Sequence, residues 1–327
     1  VPVYFVAKQG VPMVDVAVVF SAGSARDGKQ WGLASLTASL LDEGTKTKDA
    51  SAIANAFASI GAKFSSSAER DFATVSLRTM TAKQYFDPAL SLYLDVLSQP
   101  RFDKGSISRV KRQMVEAIKF DQQNPGIIAR DQLYETIYGD QPYGHPVLGS
   151  EKTLNTLTQA DVNAFYRRFY VNGNAKIVIV GDVTKAAAET LANKIAIKLQ
   201  LGEQASPIVT THQIAVKRDQ NIPMATSQSG VLIGALGTGY KDPKYFDLIV
   251  ANDILGGSSL VSLLMKEVRD KNGYTYGVYS NFSRLVGRGL FTVSLKVRAE
   301  KAQAAKDLSL QVLKQYWKEG PTQQQLD

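Results

Sequence analysis

The chain contains no cysteine in its 327 residues. That excludes disulfides and thiolate metal sites, and it suits an oxidising compartment such as a periplasm. Histidine is almost absent: there are two, His145 and His212. His145 lies in a Gly/Pro-rich loop, GDQPYGHPVLG, and His212 in a stretch with few periodic apolar residues. Neither has a second His or a Cys beside it with which to share a metal ion. No apolar run approaches the roughly 20 residues needed to cross a bilayer as a helix. There is also no block of Lys/Arg and no basic stripe interleaved with aromatics. The formal charge of +8 therefore points to a positive surface that favours acidic partners, not to nucleic-acid binding. The sequence opens on Val1 inside an alternating stretch, VPVYFVA, so a leader and some mature sequence are expected to precede it.

The length favours two domains. Val1–Ala7 and Met13–Ser21 alternate apolar and polar residues, as half-buried strands do. Asp49 is a good N-cap for a helix that runs to Ile60 and stops at Gly61. Lys63–Ala68 and Phe72–Met80 read as a hairpin around Glu69–Arg70–Asp71. Helical patterns follow over 82–98, 104–123 and 126–138, then a helix over 158–169, a strand over Ala175–Gly181 and a helix over 184–199. Residues 200–228 break the pattern with Gly202, Pro207 and Pro223. The division expected is a first domain over 1–200, a linker over 201–228 and a second domain over 229–327. With only about 100 residues against about 200, the second domain is expected to be incomplete. After the break the opening order returns: strand Val231–Ala235, Gly237, Asp242–Pro243, then a helix carrying Phe246, Leu248, Ile249, Ile254 and Leu255. Aligned with one gap, Asp27 falls on Asp242 and Leu40 on Leu255, an ordered internal duplication.

Residues 23–45 read GSARDGKQWGLASLTASLLDEGT. Leu33, Leu36, Leu40 and Leu41 recur at helical spacing, so positions 35 and 39 share one face. This is the spacing at which two His on a helix hold one metal, with a Glu beside them as general base. Here the positions are Ser35, Ala38 and Ser39. Hydroxyls that stay neutral are poor zinc ligands, and a methyl group cannot take a proton. As they stand the three make a stripe of small residues suited to close packing. Gly256–Gly257–Ser258–Ser259 lacks the Gly-Lys-Ser/Thr of a phosphate loop and reads as a turn with a Ser helix cap.

The 23–45 frame resembles the zinc-binding segment of the pitrilysin/insulinase-type metallopeptidases, which include the mitochondrial processing peptidase. In that family its middle carries His-x-x-Glu-His. QQNPGIIARDQL, YGHPVLGS, the Asp161–Phe165–Tyr170 helix and KIVIVGDV are similar to further family landmarks in the same order, so the resemblance covers nearly the whole chain. It puts Glu116 at the position of the family's third metal ligand, and Arg109 where the family often has a second Glu. A lone Glu on a basic helix is a surface or ion-paired residue, and no metal site is expected. GGSSLVSLLMKEVRDKNGYTYGVYSN resembles the family segment in which an Arg and a Tyr, seven residues apart, reach the active site from the other half of the enzyme. Arg269 and Tyr276 have that spacing. From local pattern alone they would be a last-turn Arg on a helix and an aromatic residue on a strand.

The resemblance implies an α+β fold of two related domains, each an antiparallel-rich sheet covered by helices. It implies a non-catalytic subunit of a heterodimeric zinc metalloendopeptidase. Arg269 and Tyr276 would hold substrate and stabilise the oxyanion in an active site whose zinc sits on a homologous His-x-x-Glu-His-bearing partner. The chain alone is expected to be inactive and to hold no cofactor, and the peptide substrate is expected to bind as an added edge strand. Two alternatives stand beside this: a structural scaffold subunit, as non-peptidase relatives are in respiratory complexes, and a stand-alone peptide-binding protein.

Overall fold

The structure, a computed structural model, describes residues 1–209, 218–257 and 260–326. It is α+β, with two compact units. The first comprises Val1–Ile118 and Pro146–Pro207, the second Lys119–His145 and Ile208–Asp327.

The first unit is built on a five-stranded sheet in the order β1-β5-β2-β4-β3. These strands are β1 (Val3–Ala7), β2 (Met13–Phe20), β3 (Lys63–Ala68), β4 (Ala73–Met80) and β5 (Ala175–Gly181). All pairings are antiparallel except β1 with β5. The alternation read from the sequence is the alternation of burial. On β2, Val14, Val16, Val18 and Phe20 are at most 1% exposed, while Asp15 on the opposite face pairs with Arg78 across the β2–β4 ladder. The buried face packs with residues of α1 (Leu33–Ser39), α2 (Ala50–Ser59), α3 (Lys83–Ser98), α4 (Lys104–Asp121), α6 (Glu151–Thr156), α7 (Gln159–Phe169) and α8 (Lys185–Lys198) into one core. The helix ends obey local chemistry. Asp49 caps α2 by accepting the Ala52 N–H, and Thr158 and Asp161 form a reciprocal capping box at α7.

The second unit holds a three-stranded antiparallel sheet in the order β6-β8-β7, from β6 (Gln228–Leu236), β7 (Thr275–Phe282) and β8 (Leu290–Arg298). Its core joins Val278, Val293, Leu295 and Val297 of the sheet with residues of α9 (Tyr245–Gly256), a π-helix (Met265–Lys271) and α10 (Ala302–Glu319); α11 (Gln323–Leu326) follows. The other face of β6 is covered by α5 (Pro125–Tyr138), a helix from the middle of the chain. The first-domain boundary drawn from sequence, 1–200, includes α5, but its packing is with β6. The fit depends on two glycines. A Cβ at Gly234 would stand 2.4 Å from the Leu133 side chain, and one at Gly230 3.1 Å from the Gly126 backbone nitrogen. Two glycines on the same face of a strand let the helix approach closely. Tyr134 and Tyr138 of α5 stack on one another, and the Tyr138 hydroxyl donates to Arg288 O at 2.7 Å.

The two units repeat one plan. In each, a strand leads to an Asp-stabilised helix start and then to a hairpin whose second strand pairs with the first strand. The orders β2-β4-β3 and β6-β8-β7 are the same. Asp27 accepts from Gly32 N and Ala34 N, both at 2.8 Å; Asp242 accepts from Lys244 N at 2.9 Å. Leu40 and Leu255 are both buried. The aligned pairs thus hold matching positions in the fold.

Candidate functional site

The helix at the metal-site positions is complete but has no ligand set. Asp27 is buried and fixes the start of α1 through its two backbone bonds. Burial pushes its pKa up to about 8, against the pull of the Ala34 and Gly32 N–H groups. Gly32 has φ +93°, and a side chain there would meet Leu148 O at 2.6 Å; only glycine fits that turn. On α1, Ser35 is 5% exposed and its hydroxyl donates to Val147 O at 2.8 Å. Ala38 is 1% exposed, and its carbonyl accepts the Ser66 hydroxyl of β3 at 2.6 Å. Ser39 is exposed. Two of the three positions are therefore committed to packing, as the small-residue reading expects.

The later positions do not supply a metal site either. Glu116 lies on the exposed side of α4. Arg109 forms a two-pronged ion pair with Glu43. Asp42, next to Glu43, has its pKa raised by burial and by the Glu43 charge, with Arg109 opposing. A fixed guanidinium thus neutralises the carboxylate beyond α1, where a cation would otherwise have to come from solution. Among the described residues no group of three or more His, Cys, Asp or Glu could hold a metal ion. The residues present do not fit zinc. His145 is buried; His212 lies outside the described residues, as do Ser258 and Ser259 of the expected turn, while Gly256 ends α9.

The second-half landmark is differently placed. Arg269 is in the last turn of the π-helix, which buries Met265 and Val268. Its side chain is 40% exposed and its guanidinium stands 3.7 Å from Asp270, a contact too loose and wet to immobilise it. A run of π-helix widens the turn and is frequent at functional sites; no sequence feature announces it. Tyr276 is on β7 and 95% exposed. It borders a groove of about 590 Å³ on the face of the sheet that α5 only partly covers. Gly230, Leu232 and Lys296 line this groove, with Ala129 of α5 on one side and Tyr276 and Tyr279 on the other. The Tyr279 ring lies over Gly277, where a Cβ would be 2.9 Å from it.

The residues of β7 are not in simple register with β8. Thr275 is opposite Val297 and Val278 opposite Leu295. Tyr276 and Gly277 therefore both oppose Lys296, which is a β-bulge, a device that re-aims a side chain. The Gly277 in a strand was the available signal for it.

A duplicated unit of strand, capped helix and hairpin, with the metal-site helix filled by small residues, defines a class: a two-domain zinc-peptidase fold without its metal ligands. The chain belongs to peptidase family M16. Residues 3–151 match the family described as Insulinase (Peptidase family M16), and residues 156–327 match the Peptidase M16 inactive domain. A crystal structure of a peptidase M16 inactive domain from Pseudomonas fluorescens is 37% identical with a TM-score of 0.96, over 99% of this chain and 79% of that one. The "Non-peptidase homolog YmxG" of Helicobacter pylori is 26% identical over 100% of this chain and 75% of its own length. An "Uncharacterized zinc protease YmxG" of Bacillus subtilis is 24% identical over 97% of this chain and 76% of its own. The relatives thus include one named as a zinc protease and one named as a non-peptidase homologue. No helix among the described residues is long and apolar enough to cross a membrane.

Proposed function

We propose that this chain is the non-catalytic subunit of a heterodimeric zinc metalloendopeptidase, and that it lends Arg269 and Tyr276 to an active site whose zinc and general base belong to a homologous His-x-x-Glu-His-bearing partner. The observation that carries the reading is a contrast in commitment. Ser35 and Ala38 are buried and bonded within their own unit, whereas Tyr276 is 95% exposed with its hydroxyl in solvent.

The residue types suit the roles. The Arg269 guanidinium is permanently charged and presents a planar fork of donors to peptide carbonyls or a carboxylate. The Tyr276 hydroxyl can donate to the oxyanion that forms as the scissile carbonyl is attacked, and one such donor lowers the barrier by about 3–4 kcal/mol. An extended peptide would add to a strand edge, so that main-chain bonds give affinity and side-chain pockets give specificity. The proposed setting is the periplasm, which a chain without cysteine suits.

The test is reconstitution. This chain is mixed with a His-x-x-Glu-His homologue from the same source, and cleavage of a quenched fluorescent peptide library is followed. Cleavage by the mixture, with none by this chain alone, is the expected result. A homologue that is equally active with and without this chain would remove the proposal and leave the scaffold reading.

A further inference from the structure

We propose that Thr275 is the positioning residue that aims Tyr276, acting through the bulge in β7. This rests on the reading of Tyr276 as a donor to substrate, and it adds the device that presents that donor.

Val278 pairs with Leu295. An unbroken antiparallel ladder from that pair would set Tyr276 opposite Val297. Opposed residues share a face of the sheet, and Val297 is a core residue, 3% exposed. A regular β7 would therefore turn the Tyr276 ring towards the core side, since a one-residue slip exchanges the faces. The extra residue prevents this. Thr275 takes the place opposite Val297, and Tyr276 and Gly277 together face Lys296.

The Thr275 hydroxyl holds the irregular turn of backbone. Its oxygen accepts the Gly277 N–H at 3.1 Å. Its single hydrogen is shared between Gly277 O at 2.8 Å and Lys296 O at 2.7 Å. One side chain thus ties down the backbone on the far side of Tyr276 and links it to the opposing strand. A bulge leaves its extra residue outside the ladder, and these bonds hold the backbone there. Gly277 adds the freedom the site needs, being a residue without a Cβ under the Tyr279 ring. Val at position 275 would fill the same space and suit a strand equally well, but it offers the bulge no hydrogen bond.

The experiment compares Thr275→Val and Thr275→Ser in the full chain, with two readouts. The first needs no partner: nitration of Tyr276 by tetranitromethane, resolved by mass spectrometry of the peptide that carries it. The second is kcat and KM of the reconstituted pair. Thr275→Val is expected to slow Tyr276 nitration several-fold and to lower kcat about 10–100-fold, the scale of a small misplacement of a reacting group, with KM little changed. Thr275→Ser, which keeps the hydroxyl, is expected to restore both. Unaltered nitration in Thr275→Val overturns the proposal, because the bulge then holds without the hydroxyl. Equal loss in both variants also overturns it, since size and not hydrogen bonding would be at issue. Slowed nitration with unchanged turnover separates the two ideas: the bulge is held as described, but Tyr276 is not the donor, and the positioning role falls with that reading.

Discussion

Replacing Tyr276 by Phe removes one oxygen atom from a side chain that is 95% exposed. Substitutions at such positions change stability by less than about 0.5 kcal/mol. Thermal and urea midpoints of Tyr276→Phe should therefore match those of the parent chain. Its association with the proposed zinc-motif partner should also persist, because the ring remains. Turnover is a different matter. If the hydroxyl donates to the oxyanion, its loss raises the barrier by about 3–4 kcal/mol, or roughly 10²–10³ in kcat. The bond strengthens only as charge develops, so kcat and kcat/KM should fall together while KM stays near its parent value. Stopped-time cleavage of a fluorogenic peptide by the reconstituted pair, read beside a melting curve of each variant, gives both quantities. Unchanged kcat in a folded, associated Tyr276→Phe would show that the hydroxyl is not an oxyanion donor. A fall in kcat accompanied by a fall in melting temperature would show that the exposure argument was misapplied.

Three further outcomes follow. The triple replacement Ser35→His, Ala38→Glu and Ser39→His should bind less than one zinc per chain by elemental analysis after dialysis, because the helix supplies two imidazoles while Glu116 lies on the exposed side of α4 and is engaged in another interaction. The same variant should melt earlier, since overpacking a buried position costs about 1–3 kcal/mol; full zinc occupancy would contradict the account. Gly234→Ala should destabilise the second unit by about 1–2 kcal/mol through the clash with Leu133, and in a Leu133→Ala background the same change should be neutral or stabilising. Hydrogen exchange at β6 checks this, and additive effects would disprove the contact. The pKa of Asp161 is lowered: burial would raise it, but hydrogen bonds from Thr158 and Gln30 and the Lys111 charge prevail. Its stabilising contribution is present above the unfolded aspartate pKa of about 3.9 and is lost as pH falls through the lower folded value. Asp161→Asn should therefore reduce stability at pH 7 by roughly 0.5–1 kcal/mol and flatten the acid limb of a stability–pH curve; an unaltered acid limb would exclude this capping role.

Much of the first unit is legible in the sequence because its residues obey one period at a time. Val14, Val16, Val18 and Phe20 alternate, and so they are buried. Asp49 and Thr158 stand where caps belong. The lack of zinc-ligand side chains at Ser35, Ala38 and Ser39 is read from residue type alone, whatever the fold. The association of α5 with β6 is not legible by proximity, because the partners are about 100 residues apart in the chain. Only Gly230 and Gly234 hinted at it, as glycines at positions where a strand gains nothing from them. The π-helix beneath Arg269 has no sequence signature. The bulge at Tyr276 was half visible in Gly277, but its hydroxyl staple depends on where Lys296 O falls, which only the pairing of two strands decides.

The interleaving of the two units has a consequence for how this chain is made and cut. The path leaves the first unit after Ile118, returns at Pro146 and leaves again after Pro207. No single scission releases either part whole. A fragment ending near residue 207 would carry α5 without the strand it packs on, and one beginning there would bare the β6 glycines and Leu232 to water. On the ribosome, α5 emerges before the closing third of the first unit and long before the strand that will shelter it. An exposed helix awaiting a late strand is a natural handle for a holdase chaperone, and a natural point of failure for truncated expression.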